Sequence, residues 1–591
     1  MILIPGKDKK ISQTNNGDVL GSLYFTKNIN FDKAGYISLA RKTQYVNRAL
    51  ANASSATNFG TGYNAIYDPL TSAYAIVASG GCYIMHATTL VVTRDDSTNN
   101  PGDGNDNFYW NGALYFLRNG TTGIQKRTNG VWAVALGTIP TNTDFHTFCL
   151  NEITNELLFT DGNLIQKITT GDTISVACTL PANFRARWIV FSNNRFFIGT
   201  LNTNGGNGKV FYWDGVSTVA TISYDVNSQI AVSGCKYKST VACMNSLSQM
   251  MMFDGSGFTQ VASLPVYNEL EYWVSSASAT GVYVPMFPKS MKSQGDLIYL
   301  NLGNTQSGRA NGNLANFISG IWCYDPAVGL YQKFSPTPYN DTTGYGSVLP
   351  FTVDSGLIAF LAEPNYTGSL PALTVGSEII YSMRVPDTAY ATSGAYNVIC
   401  SPVSGENRGY FVTNKIYSQN VTDTWQRIYI KFRGLFDSND KIKIKYRIKE
   451  RTKSPVVVGS QGDATCTWTT TTTFTADEPM LASVIADDDF EIWTGRGAGK
   501  TAKVVSNTLV GSTYTVVLDT AIGTVGDITG GSFWNWTALK TFDNTSIAGF
   551  AEIPIAKKGK FVQLKVELEG EGGRVQVEEL QIINDTFKPS V

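Results

Sequence analysis

Residues 441–453 of this 591-residue chain carry a cation at every second position: Lys441, Lys443, Lys445, Arg447, Lys449, Arg451 and Lys453. The residues between them are apolar as far as Ile448, namely Ile442, Ile444, Tyr446 and Ile448. A strand repeats every two residues, so the pattern sets the cations on one face and an apolar stripe on the other. Such a face could lie along a DNA phosphate backbone, binding without reading bases and weakening with salt. The same pattern suits a solvated sheet face whose lysines discourage edge pairing. It equally suits a stripe neutralised by acidic residues on a neighbouring strand.

Other chemistry-bearing groups are sparse. Gly495-Arg496-Gly497-Ala498-Gly499-Lys500-Thr501 has the look of a phosphate-binding loop, but the required first glycine falls on Thr494. The next residues, Ala502-Lys503-Val504-Val505, read as strand where a helix is needed, so a glycine-rich turn between strands is expected. Asp487-Asp488-Asp489 and the run Asn99 to Asn107 could offer oxygens to Ca²⁺. The second run lacks a trailing bidentate Glu, and surface turns rich in Asp and Asn need no metal. The two histidines, His86 and His146, sit in strand-like contexts, and no Gly-x-Ser-x-Gly nucleophile turn occurs. The eight cysteines (82, 149, 178, 235, 243, 323, 400, 466) are scattered singly with no Cys-x-x-Cys pair. They read as small buried apolar residues and not as a zinc site or a disulfide framework. The residues thus point to no cofactor, no resident metal and no enzyme, although 47 acidic residues leave a paired-carboxylate glycosidase site open.

The elements that would position these groups are strands. With 56 Gly, 29 Tyr, 30 Phe and 11 Trp, and only 16% charged residues, the composition suits half-buried pleated surfaces punctuated by turns. No stretch keeps helical periodicity for long. A phrase of aromatic residues followed by Asp or Asn and usually Gly recurs as Tyr109-Trp110-Asn111-Gly112, Phe159-Thr160-Asp161-Gly162, Tyr212-Trp213-Asp214-Gly215, Met252-Phe253-Asp254-Gly255 and Cys323-Tyr324-Asp325-Pro326. The intervals are 50, 53, 40 and 71 residues, the spacing of propeller blades built from hairpins. About seven blade-like units begin near Tyr63, Phe108, His146, Phe184, Gln229, Gly281 and Gly346. Ile139-Pro140, Leu180-Pro181 and Leu264-Pro265 mark blade ends, where proline removes no needed ladder bond.

The expected fold is therefore all-β: a β-propeller of about seven degenerate blades followed by a β-sandwich with an inserted small β-domain. Residues 1–60 read as an N-terminal arm with lead-in strands, including a pair formed by 21–25 and 35–39. Residues 61–400 form the propeller, 401–454 and 536–591 the sandwich, and 455–535 the inserted barrel-like domain. Within the sandwich, 425–436 and 441–453 are expected to pair with each other through the turn Asp437-Ser438-Asn439-Asp440. The formal net charge of −1 gives no global attraction to nucleic acid or anionic lipid. No run of eighteen apolar residues suggests a membrane span, and the N-terminus lacks a secretory apolar core, so assembly in a cytoplasm is expected.

Three stretches carry a resemblance to the hub or nozzle proteins that close the distal end of short bacteriophage tails. Asn28 to Lys42 looks like their lead-in strands, Tyr67-Asp68-Pro69 to Tyr83 looks like a first blade, and Asp489-Phe490-Glu491-Ile492-Trp493-Thr494-Gly495 to Gly499-Lys500 is similar to β-modules of tail proteins. The resemblance implies a homo-oligomeric ring, six-fold, in the virion tail. Such a ring contacts adaptor and fibre proteins, retains the genome and conducts DNA transiently through a lumen, with the host surface as a further contact. It needs no active site. A receptor- or glycan-binding tail protein is the alternative, and a polysaccharide depolymerase a second. Trp110, Trp213 and Trp273 separate these readings: buried between blades they build a scaffold, and gathered on an open face they would stack on sugars.

Overall fold

A computed structural model describes, with short breaks inside several spans, residues 10–11, 22–31, 36–39, 44–47, 62–94, 104–137, 145–264, 286–302, 320–334, 350–384, 407–417, 424–448, 456–476, 484–521, 528–559 and 561–584. Every regular element among them is a strand. Seven units of four antiparallel strands follow one another along the chain. Their first strands are Gly62–Asp68, Gly104–Trp110, Phe148–Asn151, Phe184–Ser192, Ala231–Tyr237, Met291–Gln294 and Pro350–Val353. Each of these touches the next, and the last touches the first, so they line the axis of a closed seven-bladed propeller.

Blade 7 is completed from far away in sequence. Its strands Pro350–Val353, Leu357–Ala362 and Ile379–Arg384 take Gln44–Asn47 as their outer strand, with Tyr45 opposite Tyr381. The ring is thus fastened by pairing between its N-terminal and C-terminal ends. Proline at both Tyr45 and Val46 must remove at least one inward-facing N–H. We expect that double variant to speed amide exchange selectively in Ile379–Arg384, with blade 3 unaffected.

Both faces of each blade are covered, which is why the middle strands read as unbroken apolar runs. In Glu156–Asp161, Leu157 and Phe159 pack toward blade 2 with Trp110 and Tyr115, whereas Leu158 packs toward blade 4 with Phe184 and Phe211. In Arg195–Asn202, Phe196 and Ile198 face blade 3 while Phe197 faces blade 5. The period of two assigns alternate residues to different neighbours. Cys82, Cys149, Cys178, Cys235, Cys243 and Cys323 are buried thiols within these layers.

The recurring phrase does not mark one place in the blade. Asn111-Gly112 turns the first strand of blade 2 into the second, and both residues take positive φ, 49° and 73°. Asp161-Gly162 turns the second strand of blade 3 into the third. Asp214 and Asp254 directly follow third strands, and Asp325 is the last residue of one. At the first two of these the Asp carboxylate accepts backbone N–H bonds, from Val216 and Ser217 and from Ser256 and Gly257 respectively. Any of the three hairpins of a blade can use this turn chemistry, so the intervals are irregular. Leu180 and Leu264 directly follow the outer strands of blades 3 and 5 and are buried.

The sandwich packs two sheets around Ile428, Ile430, Ile442, Ile444, Val562, Leu564, Val566 and Leu580. One sheet orders Ile29–Asn30, Ile37–Leu39, Gln576–Asn584, Thr424–Arg433 and Phe550–Lys558. The other is continuous with blade 6: from Gly329–Phe334 it runs through Ser22–Lys27, Asn407–Thr413, Phe561–Gly570 and Lys441–Arg447 to Thr537–Phe542. Two expected strand pairs are therefore corrected. The 21–25 and 35–39 stretches do not pair with each other: Leu23 lies opposite Thr413 and Ile37 opposite Val577, in different sheets. Thr424–Arg433 and Lys441–Arg447 also belong to opposite sheets, so the 437–440 turn crosses between layers and is no hairpin tip. Each of these strands needs one apolar face on the common core, and crossing lets both supply it.

Val456 to Trp534 form a separate seven-stranded sheet. It leaves and rejoins the sandwich through Lys441–Arg447 and Thr537–Phe542, which are hydrogen-bonded neighbours. Asp489–Gly495 and Thr501–Val510 pair antiparallel within it, as a turn between strands requires. Residues 496–500 lie outside the described residues.

Candidate functional site

A buried polar cluster lies on the propeller axis, where the chain entering blade 6 reaches blades on the far side of the ring. Ser233 of blade 5 fixes that segment: its hydroxyl donates to the Pro288 carbonyl at 3.0 Å and accepts from the Met291 N–H at 3.2 Å. Phe287 then meets Phe145, which leads into blade 3, edge to face at 5.2 Å. Lys289 Nζ donates to the Phe148 carbonyl at 2.8 Å and stands 3.6 Å from Asp106 Oδ2. Lys292 Nζ donates to Asn64 Oδ1 at 3.0 Å and to the Ala65 carbonyl at 3.2 Å.

Asp106 is the centre of this network and is wholly buried. Its carboxylate accepts from Asn64 Nδ2 at 2.6 Å, from its neighbour Asn107 N and from Phe148 N at 2.7 Å. Burial raises its pKa, more than Lys289 and these donors lower it. Lys292 is pushed down to about 8 by burial, with the like charge of Lys289 adding to the effect. His146, also buried, is held through Nδ1 by the Thr160 carbonyl at 2.7 Å. Blades 1, 2, 3 and 6 are thereby tied together across the axis, which a polar strap crosses at this level.

Asp106 and Asn107 end the Asn99–Asn107 run that reads as a surface turn. They belong instead to the first strand of blade 2, and residues 99–103 lie outside the described residues. The signal was the apolar Phe108-Tyr109-Trp110 directly after them, which extends the strand backwards over two polar residues. Nothing in Pro288-Lys289-Ser290-Met291-Lys292 announces a site, because the partners of its two lysines are more than a hundred residues away. No group of three metal-ligating side chains occurs among the described residues.

The basic strand has a different setting from the one a DNA-facing stripe requires. Ile442, Ile444 and Tyr446 enter the sandwich core as the alternation predicts. On the other face Lys443 pairs with Glu569 at 2.7 Å and Lys445 with Glu567 at 2.9 Å, one strand away. Lys445 and Arg447 are buried, and Arg447 Nε donates to Gln563 Oε1 at 2.7 Å. Lys441 is half-buried. The strand ends at Arg447, and Lys449, Arg451 and Lys453 lie outside the described residues. Acidic residues of Phe561–Gly570 thus neutralise the middle of the stripe within the chain. Their alternation, Gln563-Leu564-Lys565-Val566-Glu567-Leu568-Glu569, was legible, but the pairing that brings them opposite was not.

Fold and site together define a β-propeller fused to a β-sandwich. No family profile and no curated protein matches the sequence. Among solved structures, similarity is found to a luciferin-regenerating enzyme (10% identity, 60% of this chain and 98% of that one, TM-score 0.33). It is also found to YCF48 bound to D1 peptide (8% identity, 59% and 97%, TM-score 0.35) and to the Dos1 propeller (12% identity, 58% and 95%, TM-score 0.34). The propeller assignment rests on the strand order and the closed ring. Among the described residues no helix is long and apolar enough to cross a membrane.

Proposed function

We propose that the chain is a structural ring subunit of a short bacteriophage tail, part of the distal nozzle or hub that retains the genome and passes it on ejection. The observation that carries this reading is the sheet shared by blade 6 and the sandwich, which makes propeller and sandwich one mechanical body. A wall under pressure needs that continuity, whereas a binding module on a stalk does not. The strap across the axis adds to it: DNA would travel through a lumen between subunits, not through a propeller. Trp110 and Trp213 are buried between blades, which favours a scaffold over a sugar-stacking platform. Trp273 lies outside the described residues.

A ring also needs contact surfaces. Val176, Val216, Val219 and Ile222 are exposed on the outer rim of blades 3 and 4, drawn together by the bridge between Thr179 and Val219. Electron-microscope class averages and light scattering of the purified chain test the proposal. Closed rings are expected, with Val216→Glu/Ile222→Glu shifting them toward monomers. A monomer at all concentrations, or specific binding on a glycan array, would sink it in favour of a receptor-binding protein.

A further inference from the structure

Three side chains from three blades meet at the axis in a chemically consequential order. Asn64 of blade 1 offers one end of its carboxamide to Lys292 of blade 6, Nζ to Oδ1 3.0 Å, and the other end to Asp106 of blade 2, Nδ2 to Oδ1 2.6 Å. The carboxamide carbon lies between an amine and a carboxyl group whichever way the amide is turned. Asn64 is 6% exposed and Asp106 0%, so water competes poorly for either. Asn64 is further fixed by the Asn107 carbonyl at 3.2 Å, and Lys292 by the Ala65 carbonyl.

We propose that Lys292 and Asn64 condense to an intramolecular isopeptide bond, with Asp106 moving the protons. The Lys292 Nζ lone pair adds to Asn64 Cγ, forming the new C–N bond. Asp106 gives its proton to the departing Nδ2 and receives one from the attacking nitrogen. The Cγ–Nδ2 bond then breaks and ammonia leaves. Amine and primary amide become secondary amide and ammonia, so no oxidant, reductant or cofactor is needed.

The electrostatics suit each partner. Burial, aided by Lys289, brings the Lys292 amine down to about 8, so the nucleophilic neutral form is readily reached. Burial raises Asp106, which favours the protonated carboxyl that can donate. Holding reacting groups at contact distance supplies much of the entropy that such a condensation otherwise lacks.

The consequence is mechanical. Blades 1 and 6 flank blade 7, the one completed by Gln44–Asn47, and the bond would staple the ring across that closing blade. The linked residues are 228 apart, so the bond also restricts the unfolded chain over a long loop. Such a bond is independent of the tail assignment.

Intact-mass spectrometry of the folded full-length chain tests it. The expected mass is lower than that of the sequence by one ammonia, and proteolysis should release a branched peptide joining the segments that contain Asn64 and Lys292. Lys292→Arg and Asn64→Ala should both restore the sequence mass. Asp106→Asn, checked for folding by protease resistance, should leave the two segments unlinked. Succinimide formation at Asn-Gly sites such as Asn111-Gly112 also loses ammonia, so the branched peptide decides. Folded protein without that peptide after prolonged incubation overturns the proposal, and linkage undiminished in Asp106→Asn overturns the role of Asp106.

Discussion

Glu567→Gln is expected to destabilise the sandwich by about 3–5 kcal/mol, the cost of removing one partner from a buried ion pair. Lys445 lies directly opposite Lys565 across the ladder, an arrangement of like charges that opposes pairing. Glu567 relieves it by standing 2.9 Å from Lys445 and 3.4 Å from Lys565. Lys565 also lies over the Tyr410 ring at 4.2 Å. With Gln in place, two buried cations lose the carboxylate they share. Thermal unfolding, together with amide exchange in Phe561–Gly570, measures the effect. The triple variant Lys445→Met/Lys565→Met/Glu567→Leu should regain most of the loss, because an apolar replacement removes the desolvation cost as well. A change below about 1 kcal/mol, the range of exposed pairs, would mean that the cluster is solvated.

The same cluster sets an acid limit. Burial alone would raise Glu567, but Lys445, Lys565 and Lys443 outweigh it and hold the carboxyl well below its ordinary value of 4.5. A carboxylate depressed in the folded state contributes stability above its unfolded pKa and loses it as pH falls further. Wild type should therefore lose sandwich stability progressively below about pH 4.5, and Glu567→Gln should lack that part of the acid slope. An identical slope in both proteins would assign acid sensitivity to other carboxylates.

Gly199→Ala is the second large effect. A Cβ on Gly199 would overlap Cε2 of Trp188, and one on Gly234 would stand 2.7 Å from the same ring. Trp188 is fully buried, and its Nε1 donates to the Ala231 carbonyl at 3.1 Å. The indole lies against two backbones that only glycine allows, and it fills the space between blades 4 and 5. The alanine variant should lose about 3 kcal/mol, the upper range for overpacking, with a shift in tryptophan emission. Trp188→Phe in the Gly199→Ala background should recover part of the loss by making room. A Gly199→Ala protein with wild-type unfolding and emission would show that the indole can move aside.

The blades were legible because hairpins are local. Asn111-Gly112, Asp161-Gly162 and Asp254-Gly255 announce turns through the positive φ that Gly and Asn accept, and the first strands of blades 3 to 5 fall within two residues of the expected starts at 146, 184 and 229. The basic strand was legible as a strand with one apolar face, since alternation alone decides which residues share a face. Its partners were not legible. Lys441–Arg447 pairs with Phe561–Gly570 and Thr537–Phe542, and its expected partner went to the other sheet. Register and sheet membership depend on which distant apolar face completes a core, and no local pattern records that.

Local sequence therefore sets the all-β class, the hairpin grammar and the alternation of buried and polar residues, because backbone preferences act within a few residues. The work of the charged residues is set by contacts between distant segments. Closure of the ring brought Lys289 and Lys292 to Asp106 and Asn64 across the axis, and antiparallel pairing placed Glu567 and Glu569 beside the lysines. Charges act through distance in space, and in a chain with most contacts far apart in sequence, only the fold sets those distances.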